Sequence, residues 1–241
     1  MVKTEAFEYS DSNGDQFEGL LAYPEDIERS ERPGVIVFHA FGGCGKFERE
    51  KALELAKLGY VALAADVYGK GKIGTTTEEN FTLLRALLPQ RTTTLKRRIL
   101  ATFEAFTKVP TVDTNKIAAT GYCFGGLCGL DLARFGANVK GIVSFHGTLL
   151  PLPEAENTPI HASIQIHHAD LDHRINEQIA GFQEEMRARK ADWHFVTYSD
   201  AEHGFTEPEI GLLNHPGVSY NEKADKRSWS SMKNFFEEMF A

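Results

Sequence analysis

Short, uninterrupted apolar runs recur along this chain and alternate with segments of helical spacing, and that alternation restricts the fold more than any other feature. Gly34-Val35-Ile36-Val37-Phe38-His39 shows no apolar/polar alternation, as expected of a strand covered on both faces. Helical spacing follows over Glu48–Leu58 and stops at Gly59. Val61–Ala65 reads as the next strand, and Glu78–Val109 as one or two helices with a break at Pro89. The remainder predicts strands over Lys116–Gly121, Gly141–Phe145, Ala162–His167 and His194–Ser199, and helices over Leu127–Phe135, Asn176–Lys190 and Lys223–Phe240. Ahead of these, Glu5–Tyr9 and Phe17–Tyr23 flank the turn formers Asp11–Asp15, a hairpin signal, and Pro24–Pro33 reads as a loop. The pattern predicts an α/β fold, with a mainly parallel central sheet, helices on both faces and an N-terminal hairpin. No internal repeat or Pro/Ser linker divides it, so one domain is expected over residues 1–241.

Charge narrows the partners. The 34 acidic residues outnumber the 26 basic ones, for a formal net charge of −8. Phosphate backbones select the opposite balance, so no nucleic-acid partner is expected. The densest basic run, Arg91–Arg98, is expected to be a solvated helix face. The three cysteines, Cys44, Cys123 and Cys128, are odd in number and irregular in spacing, which points to free thiols in a reducing compartment. With no apolar leader at the N-terminus, a cytoplasmic location is expected. No run approaches the ~20 apolar residues that a bilayer span requires, so no membrane partner is expected.

In parallel sheets, chemistry gathers at the carboxyl ends of the strands. The strand ending near Thr120 runs into Gly121-Tyr122-Cys123-Phe124-Gly125-Gly126 and then a helix. The form G-x-C-x-G is that of a nucleophile elbow, with Cys in place of Ser. Side chains at 121 or 125 would crowd so sharp a turn, and residue 123 is lifted to a helix N-terminus, which favours a thiolate. Later strands lead into His168-Ala169-Asp170-Leu171-Asp172 and into Asp200-Ala201-Glu202-His203. A nucleophile, an acid and a histidine thus follow three strands in the order needed for covalent acyl transfer, with Asp170 and Asp172 both open as the acid.

These segments resemble the dienelactone hydrolase (carboxymethylenebutenolidase-like) family of the α/β-hydrolase fold. The resemblance is carried by Gly34–His39, by Gly59-Tyr60-Val61-Ala62-Leu63-Ala64-Ala65-Asp66-Val67-Tyr68-Gly69, by the GYCFGG elbow, by His203-Gly204-Phe205, and by Tyr220–Asp225 leading to Ser228-Trp229. It implies an enzyme acting on a lactone or small activated ester through a thioester, without metal or organic cofactor. Cys123 would be the nucleophile and His203 the general base. Asp172 would be the acid, because Asp172-His173-Arg174-Ile175 fits the family's D-x-x-V pattern better than Asp170 does. The oxyanion would be met by the backbone N–H groups of Phe124 and Phe41. One position departs from the family: a Glu that follows the first core strand is Ala40 here. Activation of Cys123 is then expected mainly from His203 and the helix terminus.

Other signals compete. Gly69-Lys70-Gly71-Lys72-Ile73-Gly74 matches a dinucleotide fingerprint, but the strand before it ends in Asp66 and no strand ending in an acid follows at the required distance. The His167–His173 cluster comes within one residue of an H-x-H-x-D-H metal-ligand pattern, with Asp170 where the second His would stand, which leaves a metal-dependent hydrolase as an alternative. A non-catalytic ligand-binding protein on the same fold is a second alternative. Cys44 is either an accessible thiol or simply small; Cys128 and Phe235, Phe236 and Phe240 are expected in the core. His39 is expected beneath the site, and His146 either lines the cleft or is structural.

Overall fold

The computed structural model describes residues 1–25, 31–152, 158–213 and 215–241. Residues 26–30 of the loop expected over 24–33 lie outside the described residues. The strands are β1 (Val2–Ser10), β2 (Gln16–Pro24), β3 (Arg32–Phe38), β4 (Val61–Ala65), β5 (Val112–Tyr122), β6 (Gly141–Phe145), β7 (Ser163–Ala169) and β8 (Trp193–Tyr198). They form one sheet in the order β1-β2-β4-β3-β5-β6-β7-β8. The N-terminal hairpin β1–β2 is antiparallel and joins the sheet antiparallel to β4, while every pair from β4 to β8 is parallel.

The helices are α1 (Lys46–Lys57), α2 (Thr77–Leu87), α3 (Lys96–Phe106), α4 (Phe124–Arg134), α5 (His173–Asn176), α6 (Ile179–Ala188) and α7 (Glu222–Phe240). Side chains alternate across a strand, so each inner strand feeds two cores. Val35 and Val37 of β3, Ala62 and Ala64 of β4 and Val143 of β6 pack with Ala52 and Leu55 of α1 and with Met232, Phe235, Phe236 and Phe240 of α7. Ile36, Leu63, Ile117 and Ile142 point the other way, to Ile99 and Phe106 of α3, Cys128 of α4 and Phe182 of α6. Both faces are covered, which explains why the sequence of these strands shows no alternation. Among the described residues no helix is long and apolar enough to cross a membrane.

The chain leaves β3 towards β4 and returns to β5 on the other side of β3. The loops at the carboxyl ends of β3 and β5 therefore diverge at a topological switch point, where such sheets leave a crevice.

Several boundaries differ from expectation. β5 begins earlier and α4 starts directly after Cys123, because the elbow needs no linker. The helix expected over 176–190 is α6, Ile179–Ala188, and the short α5 precedes it. The break at Pro89 becomes a 3-10 turn, Leu88–Gln90, followed by a π turn, Arg91–Leu95. That π turn corrects the expectation of a solvated basic face. Arg91 is buried and grips Asp131 of α4 through two bonds, at 2.9 and 2.8 Å. It also donates to the carbonyls of Pro151 at 2.9 Å and Leu150 at 3.1 Å. Arg97 and Arg98 are turned onto Asp11 and Asp15 of the hairpin turn.

Asp131 is fully buried and also accepts from Arg134 Nη1 at 3.0 Å, and Arg134 in turn holds Glu185 of α6. Removing one partner from such a network strands the others. Asp131→Ala is expected to lower the unfolding free energy by about 3–5 kcal/mol, read from urea unfolding. A loss below about 1 kcal/mol would mean that Arg91 and Arg134 find other acceptors.

Candidate active site

Cys123 stands between β5 and α4 with φ 54° and ψ −112°, a left-handed conformation that is uncommon for a residue with a side chain. Its N–H donates to the Phe145 carbonyl at 3.0 Å and its carbonyl accepts from Gly126 N–H at 3.1 Å. Two glycines permit this. A Cβ on Gly121 would collide with the Gly125 carbonyl, and one on Gly125 would collide with the Phe38 carbonyl at the end of β3. The elbow thus presses the start of α4 against β3, and the half-buried Cys123 side chain faces a cavity of about 290 Å³.

His203 reaches the same cavity from the loop after β8. A bridge between His203 and Val218, and a bond from Ser219 N–H to the His203 carbonyl at 3.2 Å, hold this loop. Its Nδ1 donates to Asp172 Oδ2 at 2.6 Å. Asp172 lies in the turn after β7, its N–H bonded to the Ala169 carbonyl at 3.1 Å, and its side chain is 3% exposed. Asp170 is exposed, and among the described residues its side chain does not meet His203. The geometry therefore brings together Cys123, His203 and Asp172 and leaves Asp170 outside.

The electrostatics of the three are coupled. Burial would push the His203 imidazole down, but the facing Cys123 and the Asp172 carboxylate outweigh it and hold the imidazole up at about 10. Burial would likewise raise Asp172, but the hydrogen bond and charge of His203, with Arg174 and His168 nearby, hold it below the usual carboxylate value. His146, at φ 40° after β6, is buried against the edge of His203 with ring centres 5.2 Å apart. Its Nε2 pairs with Thr206 Oγ1 at 2.8 Å, and burial with the neighbouring His203 keeps it neutral. His146 both lines the cavity and packs the site.

Phe41 and Phe124 flank the elbow. Phe124 N–H belongs to the first turn of α4, where N–H groups have no intrahelical acceptor. Phe41 lies in a turn closed by Gly43 N–H to the Ala40 carbonyl at 3.3 Å, and its own carbonyl accepts from Tyr68 O–H at 3.0 Å. Tyr68 stacks on Phe124, tying the two residues together. His39 sits beneath them, buried, with its Nε2 accepting from Val67 N–H at 3.2 Å.

Sequence reasoning missed two contributors. Glu48 is buried, and its carboxylate accepts from Ala40 N–H and Gly45 N–H, both at 3.0 Å, pinning the loop after β3. Its position as the third residue of a helix that follows a glycine is the available signal. The other is α2 and its extension: Thr77, Phe81, Leu84 and Leu88 share one helical face and form a cavity wall.

The competing signals resolve physically. His167 and His168 are adjacent in β7 and so point to opposite faces. His167 Nδ1 accepts from Tyr198 O–H at 2.9 Å, whereas His168 Nε2 meets Asn176 Oδ1 at 2.5 Å, and His173 is exposed. Among the described residues no three His, Cys, Asp or Glu side chains are grouped to hold a metal ion. The glycine-rich turn after β4 is closed by Asp66, whose Oδ1 accepts from Tyr68 N–H at 2.8 Å and Gly69 N–H at 3.0 Å. Cys44 is buried rather than accessible; burial, with Glu48 nearby, pushes its thiol up to about 12. Cys128 is buried in the core.

A doubly covered, mostly parallel sheet with a strained elbow between β5 and α4, and with an acid and a histidine after the last two strands, defines an α/β-hydrolase fold. The model of the dienelactone hydrolase family matches residues 17–240, and the chain belongs to that family of ester and lactone hydrolases. The solved structure of P91, a dienelactone hydrolase-like promiscuous phosphotriesterase from metagenomic libraries, is 34% identical, with TM-score 0.94 over 100% of this chain and 99% of that one. A Caenorhabditis elegans protein, K02A2.1, is 42% identical over 153 residues, 61% of this chain and 95% of its own length. A Bradyrhizobium protein named "Probable 2-oxo-3-(5-oxofuran-2-ylidene)propanoate lactonase" is 25% identical over 91% of this chain and 88% of its own.

The coupling of Cys123 to His203 has a measurable sign. The imidazole is expected to stay protonated through neutral pH and to lose its proton at about 10, followed by NMR of labelled histidine. Cys123→Ala removes the largest influence that raises it, so its midpoint should fall; an unchanged midpoint would show that the two groups are not coupled.

Proposed function

We propose that this enzyme hydrolyses a lactone or small activated ester through a thioester on Cys123. In the reacting pair the thiol proton already rests on His203, and Asp172 fixes the ring by accepting from Nδ1. The thiolate attacks the carbonyl carbon, and the charge that develops on oxygen is met by the N–H groups of Phe124 and Phe41. Collapse breaks the bond to the leaving oxygen, which receives its proton from the imidazolium. Water then gives a proton to His203 and attacks the thioester; the acid leaves and the thiol is restored.

The single observation that supports this best is the 2.6 Å bond between His203 and Asp172, in the cavity that the elbow cysteine faces. The carboxylate orients an imidazole whose protonation the cysteine favours. The leaving group follows from the nucleophile. A thiolate departs more readily than an alkoxide or an amide, so the first intermediate collapses forward only for a stabilised leaving oxygen. That selects lactones with enolate-like leaving groups and aryl esters over amides. The printed name of the Bradyrhizobium relative, a lactonase, agrees with a lactone as the bond that is cleaved.

The test is hydrolysis of 4-nitrophenyl acetate by wild type and three variants. Cys123→Ala should lose activity by on the order of a thousandfold or more, and Asp172→Asn by roughly a hundredfold or more. Asp170→Asn should stay near wild type. Acid quenching during turnover should place one acetyl group on the peptide containing Cys123. A fully active Cys123→Ala enzyme, or acetyl on another residue, would overturn the proposal.

A further inference from the structure

Glu207 lines the cavity one turn beyond His203, and the chemistry above assigns it no task. Its backbone is fixed: its N–H donates to the Gly204 carbonyl at 3.0 Å, and its carbonyl accepts from Ile210 N–H at 3.1 Å. Its half-buried carboxyl group makes no hydrogen bond or ion pair among the described residues.

The other charges around it are accounted for. Asp172 is answered by His203 at 2.6 Å. Glu48, from α1, is engaged by the N–H groups of Ala40 and Gly45. Glu209, on the same turn as Glu207, is paired with Lys46 at 2.6 Å. Arg174 of α5 is the cation of the lining, and among the described residues its guanidinium has no ion-pair partner. The two remaining lining imidazoles are His146, kept neutral by burial, and His215. Cys123 faces His203, so whether this cavity presents an unanswered negative charge to a substrate depends on Glu207.

We infer that Glu207 is a charge filter on the substrate: ionised, it turns away esters and lactones that carry a carboxylate, and protonated, it lets them in. The inference rests on the ester hydrolysis proposed above and specifies its substrate class, uncharged at neutral pH and above. The environment suits a filter that switches within the working range of an enzyme. Burial, with repulsion from Glu48 and Glu209, holds the Glu207 carboxyl up at about 7 against the opposing charge of His203. Below that pH the group is neutral; above it the negative charge appears.

The experiment compares two rigid acetate esters of matched shape, anionic 4-acetoxybenzoate and uncharged 4-acetoxybenzamide. The ratio of their kcat/KM values is measured from pH 5.5 to 8.5 for wild type and Glu207→Gln. Cys123 and His203 also line the cavity, and a change in their charge would act on the anionic ester alone, but both are present in both proteins. His215 is present in both proteins, so its contribution cancels between them. In wild type the preference for the uncharged ester should rise with pH through about 7, by roughly five- to tenfold. In Glu207→Gln that rise should be absent. A flat wild-type ratio, or an equal rise in the variant, would overturn the filter. Turnover of the uncharged ester by Cys123→Ala would instead bring down the nucleophile assignment, while the wild-type ratio would still decide the role of Glu207.

Discussion

The strained reversal at Cys123 is the constraint around which the rest of this molecule is arranged. A residue with a side chain at φ 54° and ψ −112° costs of order 1–3 kcal/mol, and it persists only where its surroundings leave no alternative. Here the surroundings are backbone. α4 comes so close to the ends of β3 and β5 that Gly121 and Gly125 have no room for a Cβ. That closeness needs a flat, apolar approach, which the uninterrupted strands and the buried face of α4 provide. It also puts the cysteine at the switch point of the sheet, where the loops after β3 and β5 separate. The turns after β7 and β8 end at the same edge and bring in Asp172 and His203.

Two treatments of charge divide the fold. Away from the cavity, buried charges are fully engaged: Asp131 takes three guanidinium bonds from Arg91 and Arg134, and Arg134 forks onto Glu185. That network also grips the carbonyls of Leu150 and Pro151, so part of the cavity wall is set by an ion pair on the far side of it. Within the cavity the balance is left open. The imidazole of His203 is held high, that of His146 is held low, and Glu207 stands near the middle of the range. Outside is a rigid charged frame, and inside are groups whose surroundings push their proton affinities apart.

The sheet and the three convergent residues were legible because local rules set them. Strands covered on both faces betray themselves as unbroken apolar runs, and the elbow needs glycines at fixed offsets. Asp172 was separable from Asp170 only through the resemblance to a family pattern, since spacing left both open. What was not legible is tertiary. Arg91 in a Lys/Arg-rich stretch looks solvated until the π turn directs it inward to Asp131. His167 and His168 look like neighbouring ligands until strand parity sends them to opposite faces. Thr77, Phe81, Leu84 and Leu88 announce a helix face, but not that it forms a wall of the cavity.

The departure at residue 40 finds its explanation in the same terms. Where the resemblance implies a Glu, Ala40 lines the cavity, and its N–H donates to the Glu48 carboxylate at 3.0 Å. Glu48 approaches from α1, and both its oxygens are turned onto backbone N–H groups of the loop, away from the cysteine. A carboxylate so engaged stiffens the loop that carries Phe41 without offering the Cys123 sulfur a competing partner. The imidazole of His203 faces that thiol and is held up by it. The acid on α1 is thus spent on holding the loop beside the elbow.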